Sequence, residues 1–416
     1  MNNVMSAVKA MPPMLTGNEL VSALTVLPEY DEHICLENEA VRLMALSDLY
    51  RIYLPSQMSL EIYSKLYLSL LRSLQKKNTT IAVKQRYENN KVIRQQAYSG
   101  IIGGSDSFTI LGASGIGKSS AIGRAISLIT ENRIIETKEP YCKIIPCLLV
   151  QTPFDSSPKA LLLEILRKAD EELSTNYYQH AIKSRAATVD MLIGVVSSVS
   201  LNHIGMLVVD EIQNVMNSKN GKSLIGMLTQ LINNSGISIC MIGTPESAVF
   251  FEQAMQLARR SLGLQYHRME YDQYFCDFCR TIFGYQYVKK KSFITPMIID
   301  WLYEHSAGVI SVAVSLVHDA QEIAILSGIE EINLEVLREA YQKRMSLLHG
   351  YIFPSVQRKA QNNLVKKKSL MPPAIECNEK EDRNKSISER VEEARSGDMD
   401  VVVLLKRHIE VVGVAV

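Results

Sequence analysis

Between residues 38 and 75 apolar side chains recur at three- and four-residue steps, through Leu60, Ile62, Tyr63, Leu66, Leu68, Leu70 and Leu71. That spacing lines one face of a helix. Pro55 divides the stretch into two helices. Ser59, with Glu61 close behind, is the N-cap expected for the second. After residue 100 the pattern changes to short continuous apolar runs: FTIL (108–111), IIPCLLV (144–150), MLVV (206–209) and ISICMI (237–242). A fifth strand, less cleanly alternating, is expected at YHRMEY (266–271). Helical segments lie between the runs. Buried strands alternating with helices predict an α/β layer with a mainly parallel, five-stranded sheet between helices. From 294 to about 350 the helical pattern returns as a smaller unit.

The flanks read differently. Residues 1–20 carry Pro12, Pro13 and several Met and are expected to be a flexible arm, followed by an N-terminal helical extension over 21–97. The nucleotide-binding core is expected over 98–290 and a helical lid over 291–353. Residues 354–398 are polar, with Lys366, Lys367 and Lys368 in a row, and predict a disordered linker. The last residues, 399–416, are strongly apolar: either a tethered peptide that binds a partner or a strand that folds back on the domain.

Bulk composition changes this picture little. The chain has 416 residues, long enough for two or three domains with substantial cores. A net charge of +1 excludes a global field that would steer the chain to nucleic acid, so any such contact must be a local patch. Seven scattered cysteines and no opening signal peptide predict a reducing, cytoplasmic setting. No apolar run reaches the roughly 20 residues of a membrane span.

The chemistry begins where FTIL runs into GASGIGKSS, residues 112–120. Gly112, Gly117, Lys118 and Ser119 complete a phosphate-binding loop, with Ala113, Ser114, Gly115, Ile116 and Ser120 filling it out. The glycines allow successive backbone N–H groups to converge on phosphate oxygens. Lys118 is suited to the β- and γ-phosphates of ATP, Ser119 to a Mg²⁺ ion, and the helix expected over 119–130 points its N-terminus at the same anion. Such a loop needs a carboxylate for its metal at the end of a neighbouring buried strand. In LVVDEIQN (207–214) Asp210 fits that role, and Glu211 is placed to polarise an attacking water. In ISICMIGTPESA (237–248) a third buried strand ends at Thr244, a hydroxyl suited to sensing the γ-phosphate or the water. Arg259 and Arg260, in LARRSLG, are either a pair of solvated helix charges or the source of an arginine that reaches a neighbouring subunit's site. CDFC (276–279) lacks the second ligand pair that a zinc site needs and reads as a helix with one buried and one half-buried thiol.

Phosphate loop, Asp-Glu strand, Thr and Arg pair, followed by a helical lid, resemble an AAA+ P-loop ATPase. More narrowly, GIIGGSDSFTILGASGIGKSSAI (100–122), IGMLVVDEIQNV (204–215), MIGTPESA (241–248) and SAGVISVAVSLVHDAQEIAILSG (306–328) resemble TnsC, the AAA+ regulator of Tns-type transposons. The resemblance covers roughly residues 30–350. It implies ATP-dependent assembly of a homo-oligomer, ring or helical filament, around duplex DNA. That oligomer would link a target-selection adaptor to transposase subunits, and hydrolysis would dismantle it. The target-selection adaptor itself would be either a sequence-specific DNA-binding protein or an RNA-guided complex. The resemblance further places Gln213 near the hydrolytic site, gives target selection to the N-terminal helices and gives transposase recruitment to the tail after 354. One departure stands out: many AAA+ lids carry a phosphate-touching arginine, and AGVISVAV (307–314) has none after Gly308. DNA contacts would come from cations such as Lys159, Lys183 and Arg185, each otherwise an ordinary surface charge. A helicase loader or insertion-sequence ATPase shares the same core, and a nucleotide-gated signalling switch without DNA is the alternative from another class.

Overall fold

The computed structural model describes residues 4–77, 82, 84–85, 107–131, 134–138, 141–183, 188–249 and 263–346. The expected tail calls, over 354–398 and 399–416, lie outside the described residues, as do residues 86–97 of the expected N-terminal extension.

Six strands form one sheet in the order β2-β3-β4-β5-β1-β6: β1 Phe108–Gly112, β2 Ile135–Lys138, β3 Tyr141–Gln151, β4 Ile204–Asp210, β5 Ser238–Gly243 and β6 Leu264–Tyr266. Five are mutually parallel, and β2 pairs antiparallel with β3 as a hairpin partner. The sheet therefore has one strand more than the five expected. The last strand spans 264–266 rather than 266–271, because the pairing of Ile110 with Leu264 and Gly112 with Tyr266 ends where β1 itself ends. The AAA+ P-loop architecture is present: β5 sits between the phosphate-loop strand β1 and the acidic strand β4.

The two faces of the sheet follow the period of two. Met206 and Val208 of β4, Cys240 and Ile242 of β5, and Phe108 and Ile110 of β1 pack on one side. Leu207, Val209, Ile239 and Met241 pack on the other. The second face is covered by α6 (Pro158–Leu173), α8 (Val189–His203) and α9 (Gly221–Ser235), with α7 (Tyr177–Lys183) alongside. The first face is covered by α5 (Lys118–Thr130) and by α4 (Gln57–Lys77) from the N-terminal region.

That last contact revises the N-terminal domain picture. Ile62, Leu66, Leu70 and Leu74 of α4 are all at most 1% exposed, so the helix is a layer of the core and not a free extension. Its Ser73 Oγ donates to the Gly205 carbonyl at 2.6 Å, fixing it across β4. α4 begins at Gln57, two residues ahead of the expected N-cap Ser59; the Ser59 hydroxyl instead accepts from the Ser56 amide at 3.1 Å. The expected flexible arm is also packed where it is described. In α1 (Val4–Lys9) Ala7 is buried, and so is Met11 after it, while the Tyr67 hydroxyl donates to the Pro12 carbonyl at 2.7 Å. The helix α2 (Gly17–Leu24) then buries Leu20 and Leu24 in the same layer.

The lid has four helices: α10 (Gln273–Gly284), α11 (Pro296–Ser306), α12 (Ile310–Leu326) and α13 (Leu334–Arg344). It begins near residue 273 and not at 291, since Phe275, Phe278, Ile282 and Phe283 of α10 pack with Leu302, Leu316 and Val317. The aromatic side chains of Phe275, Phe278, Phe283 and Tyr287 are thus lid core. Cys279 is buried there and Cys276 half-buried, as CDFC suggested, and burial pushes the Cys279 thiol up to about 12.

Residues 26–53 leave the sheet, wrap onto the lid and return: Val26 and Tyr53 pair across an antiparallel bridge. Leu46, Leu49 and Ile52 belong to the lid core. Arg42, in α3 (Glu39–Ala45) and 2% exposed, clamps this wrap. Its guanidinium donates to both carboxylate oxygens of Glu330, at 2.7 and 2.8 Å, and to the Tyr287 carbonyl at 3.0 Å. Hydrogen bonding from Arg42 holds the Glu330 carboxyl below its ordinary value. A carboxyl lowered by folding stabilises fully above its unfolded value, about 4.3, and loses that contribution as pH falls through the folded one. Arg42→Ala is expected to destabilise by about 1.5–3 kcal/mol, the scale of a lost charged hydrogen-bond pair, since the part-buried Glu330 keeps the Lys289 amide at 3.2 Å and the Lys289 ammonium at 3.8 Å. It should also flatten the stability loss between neutral pH and pH of about 3, below the unfolded value of about 4.3. Urea unfolding at the two pH values measures both effects.

Candidate functional site

Parallel strands place their carboxyl ends on one edge, and here those ends carry the chemistry. β1 ends at Gly112, β4 at Asp210 and β5 at Gly243, side by side. They open into a cleft of about 280 Å³ lined by the phosphate loop, Asp210, Glu211, Gln213, Thr244 and, from the lid, Ser311. The cleft thus gathers the loop from Gly112 to Ser120, the acidic pair and Thr244, which are scattered over more than a hundred residues of sequence.

The loop turns into α5 through Gly117, at φ +93°. A Cβ there would meet nothing within 4 Å, so the left-handed backbone angle alone demands glycine. Lys118, the first residue of α5, is half-buried. Its ammonium donates to the carbonyls of Gly112 and Ala113, at 2.7 and 2.8 Å. Burial lowers its pKa, opposed by the charges of Asp210, Glu211 and Glu246. The cation is therefore held in the loop by neutral acceptors, ready to exchange them for phosphate oxygens, which bind an ammonium more strongly.

Beside it, Ser119 Oγ donates to Asp210 Oδ2 at 3.5 Å. The other oxygen of Asp210 accepts from the Glu211 amide at 2.8 Å. Glu211 sits at φ +58°, an unfavourable angle for a residue with a side chain, and its carboxylate is exposed to the cleft. Gln213 Nε2 donates to Glu211 Oε2 in a short contact. Gln213 Oε1 is buried and has no hydrogen-bond partner among the described residues. Thr244 is half-buried and hydrogen-bonds the Glu246 carboxylate, which thereby stays below its ordinary pKa.

A second pocket, about 160 Å³, adjoins the first and shares Gly115, Gly117, Ser120 and Ser311 with it. Its walls are apolar: Ile52 and Leu54 from the N-terminal wrap, Ile116 from the loop, and Met269, Phe278 and Val314 from the lid side. Tyr274 Oη donates to the Leu54 carbonyl at 2.9 Å, tying wrap to lid at its rim. A polar, cation-bearing cleft that adjoins a largely apolar pocket suits a ligand with an anionic and an apolar end. The sequence reading missed this pocket and Glu246. The only signal was the apolar content of LYRIYLPS, which does not reveal that the segment crosses to the loop.

Other expected residues fall elsewhere. Lys159, at the start of α6, and Lys183, at the end of α7, are exposed and do not line the cleft. Arg185, Arg259 and Arg260 lie outside the described residues. Among the described residues the cluster able to offer three metal-ligand atoms is His318, Asp319 and Glu322 on the lid, away from CDFC.

Residues 104–270 match the model of a family described as bacterial TniB protein. No curated protein matches the chain. Among solved structures, Aeropyrum pernix Orc1 in complex with DNA is 15% identical, over 78% of this chain and 81% of that one, with a TM-score of 0.40. Pyrobaculum aerophilum Cdc6p is 10% identical over 78% and 80%, with a TM-score of 0.39. The Thermotoga maritima RuvB Holliday junction branch migration motor is 10% identical over 79% and 86%, with a TM-score of 0.33.

The cleft has the lining that a phosphate-bearing ligand requires, and its cation should dominate affinity for one. Lys118→Ala is expected to weaken ATP and ADP binding by about a hundredfold, the scale of a lost charged hydrogen bond in a partly desolvated site. Isothermal titration calorimetry on the full chain reads this directly.

Proposed function

We propose that the chain is an ATP-hydrolysing regulator of DNA transposition that assembles on duplex DNA. The observation that carries this is the cleft: phosphate loop, paired acids and Thr244 on one sheet edge, within a segment that matches a transposition-associated family. Lys118 holds the β- and γ-phosphates. Ser119 and Asp210 offer hard oxygen donors on one wall, which suits Mg²⁺, and they would hold it. Bound there, the ion neutralises charge on the phosphate oxygens. Glu211 takes the proton of the attacking water, Gln213 orients the Glu211 carboxylate, and Thr244 contacts the water or the γ-phosphate. Arg259 or Arg260 serves a neighbouring subunit in the oligomer. The tail binds transposase, and the N-terminal region receives the target-selection factor.

Two loops at the cleft's edge support a DNA contact. Ser218 Oγ and Asn220 Nδ2 both donate to the Asp155 carbonyl, at 2.7 and 3.1 Å, joining loop 152–157 to loop 218–222. Phe154 stands 93% exposed at one tip, with Lys159, Lys219 and Lys222 exposed nearby in sequence. The same loops meet the acidic strand: the Thr152 amide donates to the Asp210 carbonyl at 2.8 Å, and Asn214 Nδ2 donates to the Thr152 carbonyl at 3.1 Å. A phosphate backbone gripped by these lysines would therefore press on the segment that positions Glu211.

Glu211→Gln is expected to slow ATP turnover at least about a hundredfold while leaving ATP bound, and to give long-lived assemblies on duplex DNA under electron microscopy. Turnover indifferent to duplex, with no assembly in either protein, would sink the DNA reading in favour of a signalling switch. Replacing Lys219 and Lys222 together by Glu should weaken duplex binding and lower its salt slope by about two, read by fluorescence anisotropy across salt concentrations.

A further inference from the structure

The lid hydrogen-bonds the phosphate loop through Ser311, a neutral residue. α12 begins with N-cap Val309, whose side chain makes no cap hydrogen bond. The Ser311 amide donates to the Gly115 carbonyl of the loop at 3.2 Å. Gly115 lies at φ +80°, and a Cβ on it would come within 2.5 Å of Ser311 Oγ and 2.8 Å of Val309 Cγ1. The start of α12 is therefore packed on the loop with no atom to spare. Ser311 is exposed and lines both the phosphate cleft and the apolar pocket. Ser311 is the second residue of this 17-residue helix, so it stands at the helix's positive end. No arginine follows Gly308 in the first turn of this helix.

We propose that Ser311 is the lid's contact with bound nucleotide: its Oγ donates a hydrogen bond to a phosphate oxygen on the base side of the cleft. This rests on the nucleotide reading above. Its position at the junction of the two pockets decides which phosphates it meets. Those are the ones next to the ribose, present in ATP and ADP alike. The lid thus holds both nucleotides with the same contact, and hydrolysis by itself does not release it. Discrimination between ATP and ADP falls to the groups at the far end of the cleft, Thr244 and the acidic pair.

The test is Ser311→Ala in the full chain, titrated with ADP and with a non-hydrolysable ATP analogue, alongside steady-state ATP turnover. The expected result is an equal loss of affinity for both ligands, about tenfold for a hydrogen bond to a charged acceptor. In turnover the effect should appear in KM rather than kcat, the mark of a contact made equally in ground and transition states. A loss confined to the ATP analogue would overturn the proposal, because Ser311 would then be reading the γ-phosphate. Unchanged affinity for both ligands would also overturn it, while leaving the nucleotide site intact. If the unaltered chain bound neither ligand, the nucleotide reading itself would fall and this proposal with it.

Discussion

The parallel pairing of β1, β5 and β4 is the constraint on which the site depends. Parallel strands in register bring their carboxyl ends to one edge, and helices on both faces leave that edge as the open place for polar groups. Gly112, Asp210 and Gly243 end their strands together because Leu111 pairs with Gly243 and Val209 with Met241. A slip of one residue would invert the alternation that splits Met206 and Val208 from Leu207 and Val209, burying a face meant for the opposite layer. Packing on two faces thus holds the phosphate loop and the acidic pair within bonding distance.

The second half of the site comes from a different source. The apolar pocket is built by the N-terminal wrap and the lid together, and neither wall stands without the other. The buried Arg42–Glu330 pair, the Tyr30 hydroxyl on the Gln286 carbonyl and the Tyr285 hydroxyl on the Pro28 carbonyl bind wrap to lid. Each uses a polar group to satisfy a backbone or charged partner that burial would otherwise leave unpaired. Past Pro55 the chain turns onto the sheet as α4. Residues 26–56 therefore link the lid to the core layer.

Much of the core was legible before any coordinates. FTIL, IIPCLLV, MLVV and ISICMI are β-branched, apolar and bounded by turn residues, and each is a strand of the sheet. GASGIGKSS makes a loop followed by a helix because its glycines admit left-handed angles and its Lys-Ser start suits a helix N-terminus. These are local properties: spacing, propensity and backbone freedom act within a few residues. Thr244 and the Asp-Glu pair were legible for the same reason, as polar residues that end buried runs.

What the tertiary structure decided is everything that depends on distant partners. A four-residue edge strand such as β2 exists through pairing with β3, which its own sequence IETK does not announce. The arm over 4–11 packs because α4 offers it an apolar face. α10 joins the lid because its aromatic residues find Leu302, Leu316 and Val317, and not because of any boundary in composition. Ser311 is an unremarked serine in an apolar run until the turn at Gly308 lays it against Gly115. Local pattern determines which segments are strands and helices. Long-range contact alone determines which of them surround the cleft, since the free energy of burial does not depend on how far apart two residues lie in the chain.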